Sequence, residues 1–181
     1  EVAALAARGP FDAARLSSRA NSLAGKRVLD TAGRTEEPID PVRYISNRSS
    51  GKMGYAVVEA ARARGASVTL VSGPVALAKP GGVTVIPVES ASEMKAAMDS
   101  RMAEADVVIM AAAVADYRAA APADRKIKKD AEAVSISLVR TDDILKGLGK
   151  AKRKDQVLVG FAAETNDVVA YGREKLKRKN A

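Results

Sequence analysis

Residues 106–113, DVVIMAAA, make an almost wholly apolar run, of the kind a strand shows when both faces of a parallel sheet are covered. Short apolar runs recur on either side of it and alternate with helix-like stretches, the pattern of βαβ units. Upstream, strands are expected at 27–32, 68–72 and 83–88, with a helix over 55–64 closed by Gly65. Ser90 and Glu93 have the spacing of a capping box that opens a helix running to about Glu104. Downstream, 134–139 alternates more than it runs continuously and is expected nearer a sheet edge. A short helix at 141–147, a strand at 156–162 and a last helix at 167–179 complete the pattern. The reading is an α/β, Rossmann-like three-layer fold with a mainly parallel central sheet. Residues 1–25, rich in Ala, Ser and Arg, read as a linker or the tail of a preceding domain, and residues 26–181 as one domain.

In open α/β sheets ligands bind beyond the carboxyl ends of the strands. Four stretches fall there: TAGRTEEPIDPVRYISNRSSGKMG (31–54), VADYRAAAPADRKIKK (114–129), RTDDIL (140–145) and AAETN (162–166). The densest part is 38–54, where an Asn, several Ser, two Gly and a Lys precede a helix and offer hydroxyls, an amide and backbone N–H groups to an anion.

Composition limits the chemistry. With no Cys and no His among 181 residues, a disulfide, a thiolate nucleophile, an imidazole base and a His- or Cys-ligated zinc site are excluded. Catalysis must rest on Lys, Arg, Asp, Glu, Asn, Ser, Tyr, the backbone, or a hard metal ion held by oxygens. No apolar run approaches the roughly 18–20 residues needed to span a bilayer, so a cytoplasmic protein with no membrane partner is expected. The net charge of +8 suits either nucleic acid or an anionic small substrate. Two Phe, four Tyr and no Trp leave few platforms for stacking bases, and the substrate reading is preferred over nucleic acid. Gly51-Lys52 lacks the other residues of a P-loop, and no G-x-G-x-x-G follows the first strand.

The strings TAG, EPIDPVRYISNRSSGKMG, AAAVADYR, KIKK and GFAAETN, in this order and spacing, resemble phosphopantothenate-cysteine ligase of coenzyme A synthesis, over about residues 26–181. The resemblance implies that CTP activates 4'-phosphopantothenate as an acyl-cytidylate, which cysteine converts to the amide. It also implies Mg²⁺, a homodimer, and a fused or associated decarboxylase half carrying FMN. Family members continue into a further strand and loop, so a C-terminal segment beyond Ala181 is expected.

By the same resemblance Lys126 would contact the phosphates and the developing charge, and Asn47 would bind the acyl-cytidylate and assist amide formation. Arg43 would face the substrate's anionic groups, at or across a dimer interface. Ser49, Met110, Ala111 and Ala112 would lie against the nucleotide, and Asp116 would take the ribose or Mg²⁺. Asp142, Asp143, Ile144 and Leu145 would read the cytosine through backbone groups, with Phe161 near the base and Lys175 and Lys179 reaching the triphosphate. Each has a plainer alternative: a solvated Lys126, a turn-capping Asn47, a helix-capping Asp116, a core Phe161, and Lys175 with Lys179 as an exposed helix face.

Three features depart from the family's pattern: Arg34 and Glu36 where TAGGT or TAGPT and then REP are usual, Asp30 within an apolar strand, and Asp142 in place of a frequent Pro. Glu36 is expected to repel phosphates, Arg34 to crowd a turn that favours Gly, and a buried Asp30 to rise in pKa. The competing functions are an impaired family member that still binds nucleotide and a basic nucleic-acid-binding module.

Overall fold

The structure, a computed structural model, describes residues 21–128, 134–163 and 166–181. Most of the expected linker, the Lys129 end of KIKK, and Glu164 and Thr165 of AAETN lie outside the described residues.

Five parallel strands form the central sheet: β1 (Arg27–Ala32), β4 (Ser67–Ser72), β5 (Thr84–Pro87), β6 (Val107–Met110) and β9 (Val157–Gly160), in the order β5-β4-β1-β6-β9. Among the described residues four α-helices accompany them: α1 (Lys52–Ala63), α2 (Ala91–Asp99), α3 (Ile144–Ala151) and α4 (Val168–Lys179). The α/β expectation holds, and the apolar run that suggested it supplies β6, an interior strand between β1 and β9.

The period-two alternation of each strand sorts side chains onto two faces. Leu29, Val71, Val108 and Leu158 meet Met94 and Met98 of α2 and Ile144 and Leu148 of α3. On the other face Val28, Ala32, Val68 and Leu70 meet Val58 and Ala61 of α1. Ser90 and Glu93 form the expected capping box, but α2 ends at Asp99 and a separate 3₁₀ turn, Met102–Glu104, follows. Gln156 holds that turn by donating from Nε2 to the carbonyls of Met102 and Ala105 at 2.7 and 2.8 Å.

Two short antiparallel ribbons stand apart from the sheet: β2 (Glu36–Pro38) with β3 (Tyr44–Ser46), and β7 (Tyr117–Ala119) with β8 (Leu138–Arg140). The strand expected at 134–139 near a sheet edge is therefore corrected. Only its end is a strand, it pairs with β7 outside the main sheet, and residues 134–140 are all exposed. Interleaved Ser135 and Ser137 deny it the continuous apolar run that an interior parallel strand needs. The helix expected at 141–147 starts later, at Ile144, because the Asp143 carboxylate caps it by accepting from the Lys146 N–H at 3.1 Å.

From β1 the chain winds outward through β4 and β5, then returns to β6 and winds the other way to β9. The switch point lies between β1 and β6, and the crevice beyond their carboxyl ends is where ligands of such sheets sit. No helix among the described residues is long and apolar enough to cross a membrane.

Candidate active site

Loops leaving β1 and β6 are stitched together across the switch point. Thr35 N–H donates to Ala113 O at 3.2 Å, and Ala113 N–H to Gly33 O at 2.9 Å. Thr31 Oγ1 accepts from Ala112 N–H at 3.1 Å, and Thr35 Oγ1 from Ala115 N–H at 2.9 Å. Ala111 and Ala112 thus sit at the mouth of the crevice. The Ala112 N–H and the Met110 carbonyl, which accepts from Phe161 N–H at 3.3 Å, are already engaged within the protein.

Asn47 adds a third loop. Its Nδ2 donates to Ala113 O at 3.2 Å and Val114 O at 3.0 Å, a tertiary tie rather than a local turn cap, and its Oδ1 remains as an acceptor at the crevice. Ser49 Oγ accepts from Gly51 N–H at 3.3 Å, just before α1.

Three glycines let these loops approach closely. Gly33 and Gly51 have φ of +82° and +75°, and a Cβ on Gly51 would lie 2.6 Å from Val75 Cγ1. A Cβ on Gly73 would fall 1.9 Å from the Arg34 carbonyl oxygen. The left-handed turn is made at Gly33, so Arg34 needs no positive φ, and the expected crowding does not arise.

Arg43 and the backbone of Ile127, the residue after Lys126, are brought together through Asp40. The buried Asp40 carboxylate accepts from Arg43 Nε at 3.0 Å and from Ile127 N–H at 3.1 Å. Arg43 Nη2 donates to Ile127 O at 3.1 Å. The Arg43 guanidinium, followed by those backbone donors, holds the Asp40 carboxyl far below the usual range. Lys126, exposed, is the residue before Ile127.

On the far side, Asp143 pairs with Lys179. Burial pushes the Asp143 carboxyl up, but the bonds from Lys179 and the Lys146 N–H outweigh it, and the net shift is downward. Ile144 is buried core, whereas Leu145 packs so tightly on the end of β9 that a Cβ at Gly160 would sit 2.5 Å from its Cδ2. Phe161 is half-buried beside Met110. Lys175 and Lys179 lie one turn apart on α4. Asp142 and Asp116 are exposed. Among the described residues no three acidic side chains cluster as a metal cage. A single carboxylate such as Asp116 fits the way Mg²⁺ is usually held, by one or two carboxylates together with substrate phosphates and water.

Sequence reasoning missed Thr31, Thr35 and Asp40. The Asp-Pro step at 40–41 is a turn signal that points to the last. It also missed a cleft of about 500 Å³ beyond β4 and β5, bordered by Tyr55, Ser72, Val75, Lys79 and Glu89, which contains none of the expected site residues.

Compared with known proteins, the chain matches the DNA/pantothenate metabolism flavoprotein C-terminal domain over residues 23–181. It is 52% identical over 159 residues to the coenzyme A biosynthesis bifunctional protein CoaBC of Bacillus subtilis (strain 168), covering 87% of this chain and 39% of that one. It is also 52% identical over 160 residues to a cysteine/cysteine sulfinic acid decarboxylase of an unknown prokaryotic organism, covering 87% of this chain and 44% of that one. The chain therefore spans less than half the length of these curated relatives. Its fold superposes on the crystal structure of the C-terminal domain of CoaBC with a TM-score of 0.79 and 52% identity, over 90% of this chain and 76% of that one. The chain belongs to the DNA/pantothenate metabolism flavoprotein C-terminal domain family.

Proposed function

We propose that residues 26–181 form a nucleotide-binding ligase domain that uses CTP to join 4'-phosphopantothenate to cysteine, giving 4'-phosphopantothenoylcysteine for coenzyme A synthesis. The observation that carries this reading is the tie from Asn47 to Ala113 and Val114, which joins the 38–54 segment to the end of β6. Likeness to the CoaBC C-terminal domain supports it.

In the first step a carboxylate oxygen of 4'-phosphopantothenate attacks the α-phosphorus of CTP; the bond to pyrophosphate breaks and an acyl-cytidylate forms. The cysteine amine then attacks the acyl carbon and expels CMP as the amide forms. Both steps concentrate negative charge, and positioned cations and N–H donors lower their barriers most. Lys126 supplies one cation, Arg43 another, and Ser49, Gly51 and Gly33 line the anion cradle. Asn47 Oδ1 accepts from the attacking amine while Nδ2 keeps the loop in place. Asp142, Asp143, Ile144, Leu145 and Phe161 border the base, and Lys175 and Lys179 the triphosphate. Asp116 would hold Mg²⁺, which when bound would supply charge neutralisation.

In this reading residues 1–25 are a linker or the tail of a preceding domain, and the partner half is a fused or associated flavin-dependent decarboxylase carrying FMN. A homodimer in the cytoplasm completes the proposal. Val42, Tyr44, Tyr117 and Leu138 are exposed on the two ribbons, which lie side by side through β2 and β7, an apolar surface of the kind a second copy covers.

The test is pyrophosphate release from CTP or ATP with 4'-phosphopantothenate and Mg²⁺, with and without cysteine. CTP-dependent release followed by amide formation when cysteine is added is the expected result. Release with ATP alone would overturn the nucleotide assignment, and CTP binding without release would favour an impaired member. Salt-sensitive binding of DNA or RNA, indifferent to substitution of Asn47 or Lys126, would favour the basic module.

A further inference from the structure

Asp40 holds the most heavily engaged carboxylate near the crevice. Its side chain is fully buried. Oδ1 accepts from the N–H groups of Val42 and Arg43, both at 2.9 Å. Oδ2 accepts from Arg43 Nε at 3.0 Å, Arg43 Nη2 at 2.5 Å and Ile127 N–H at 3.1 Å. The two oxygens between them thus take donors from two separate stretches of chain.

One stretch is the turn itself, closed by the Ile39 and Asp40 N–H groups donating to Arg43 O at 2.8 and 3.2 Å. The other is the segment carrying Lys126. Ala123 N–H donates to Ile39 O at 2.8 Å, Ile127 N–H donates to Asp40, and Ile127 O accepts from Arg43 Nη2 at 3.1 Å. The bight from Ala123 to Ile127 is thus fastened to the turn at both ends, with Lys126 exposed within it. Among the described residues neither regular ladder nor buried side chain fixes Lys126 from the other side, because Asp124, Arg125, Lys126 and Lys128 are all exposed.

We infer that Asp40 is a positioning residue: its carboxylate clasps the Lys126-bearing segment onto the Arg43 turn and sets where the Lys126 ammonium stands in the crevice. The inference rests on the proposed role of Lys126 and adds what places it. It also reassigns part of Arg43, whose Nε and Nη2 build the clasp and leave Nη1 as the guanidinium nitrogen facing away from it. Misplacement of a catalytic group by about 1 Å costs on the order of 100-fold in rate, so a loosened clasp lowers kcat while nucleotide contacts made elsewhere keep KM nearly constant.

The experiment compares wild type, D40N and K126Q as the full chain, with two readouts. One is steady-state pyrophosphate release. The other is the rate of tryptic cleavage at the Lys126–Ile127 bond, which reads the fastening without any reaction. Expected for D40N is cleavage faster by about tenfold or more, kcat lower by about 10- to 100-fold, and a CTP KM changed less than about threefold. Unchanged cleavage in D40N overturns the clasp whatever the activity. Faster cleavage with wild-type kcat, while K126Q is inactive, overturns the positioning role and leaves the function of Lys126 standing. Wild-type turnover by K126Q overturns the role of Lys126 and with it the inference, although the cleavage result still reports the clasp. Should D40N fail to fold, D40E keeps the charge, displaces it by one methylene, and is judged by the same outcomes.

Discussion

The Arg34 guanidinium donates from Nε to Glu36 Oε1 at 3.1 Å and from Nη1 to the Ser49 carbonyl at 3.3 Å, so two of the residues that depart from the expected pattern neutralise each other. Glu36 also anchors its backbone, donating its N–H to Glu89 O at 2.8 Å. The bond to Glu36 raises the Arg34 pKa, as expected for a cation gaining a carboxylate partner. The repulsion of phosphates expected from Glu36 alone is therefore offset at its source, which weighs against the impaired-member reading.

This pair predicts a sign change in a double-mutant cycle. R34A strands the Glu36 carboxylate beside the loop proposed to bind the anion, and the KM for 4'-phosphopantothenate should rise about tenfold. Removing both partners in R34A/E36A should bring KM back to within about threefold of wild type. E36R alone sets two guanidiniums together and should lower stability without raising turnover. Steady-state kinetics on the variants decides the matter; additive losses in R34A and E36A would show that the two residues act separately.

Glycine spacing gives a second contrast. Gly73→Ala drives a methyl into the Arg34 backbone carbonyl, which has no soft side chain to yield, and should cost about 3 kcal/mol. Gly147→Ala, within α3 and with nothing inside 4 Å of the new methyl, should stabilise by about 0.5–1 kcal/mol. Urea unfolding of both reads the difference. A tolerated G73A would mean that the turn after β4 can move away from Arg34.

How much of this was legible in the sequence depends on the range of the interaction involved. The parallel strands announced themselves because β1, β4 and β6 carry their apolar signal locally, and the Ser90–Glu93 box is a four-residue pattern. The loops after β1 and β6 were legible because strand ends are predictable once strands are, whereas RTDDIL follows a ribbon strand outside the main sheet. What stayed hidden were partnerships across sequence: Asp40 with Ile127, Asn47 with Ala113, Thr35 with Ala115. No periodicity encodes a bond between residues dozens of positions apart. The 134–139 segment misled because alternation specifies a strand without specifying its partner.

Asp143 serves two neighbours, and substitutions can separate them. Asp143→Ala removes the cap of α3 and should cost about 1 kcal/mol, whereas Asp143→Asn keeps a capping oxygen and loses only the ion pair with Lys179. Released from that pair, Lys179 should serve the triphosphate better, so D143N is expected to tighten CTP binding a few-fold and K179M to weaken it. Titration calorimetry at low salt measures both. Weaker binding by D143N would mean that the carboxylate orients Lys179 rather than competing for it.

Asp30 makes the sharpest thermodynamic prediction. It lies in β1 with no exposed surface, and neither carboxylate oxygen has a hydrogen-bond partner among the described residues. Its neighbours in register are Leu70 and Ile109. Burial raises its pKa from 3.8 to about 8, against a smaller opposing effect of the Thr31 backbone. Between those two values the folded protein holds a proton that the unfolded chain releases, so stability is full below about pH 4 and falls as pH rises to about 8. Asp40, Asp106 and Asp143 are shifted the other way, and their contributions are lost only as pH falls into the acid range. A window from about pH 5 to pH 9 therefore isolates Asp30, and over it the wild type should lose about 4 kcal/mol, at 1.36 kcal/mol for each unit. Asp30→Asn should flatten this slope, and Asp30→Val, which suits a strand between Leu70 and Ile109, should gain most relative to wild type at the alkaline end. Denaturant unfolding at both pH values provides the measurement. An equal slope in D30N would place the titrating group elsewhere and imply that the Asp30 carboxylate finds a partner or water on ionising.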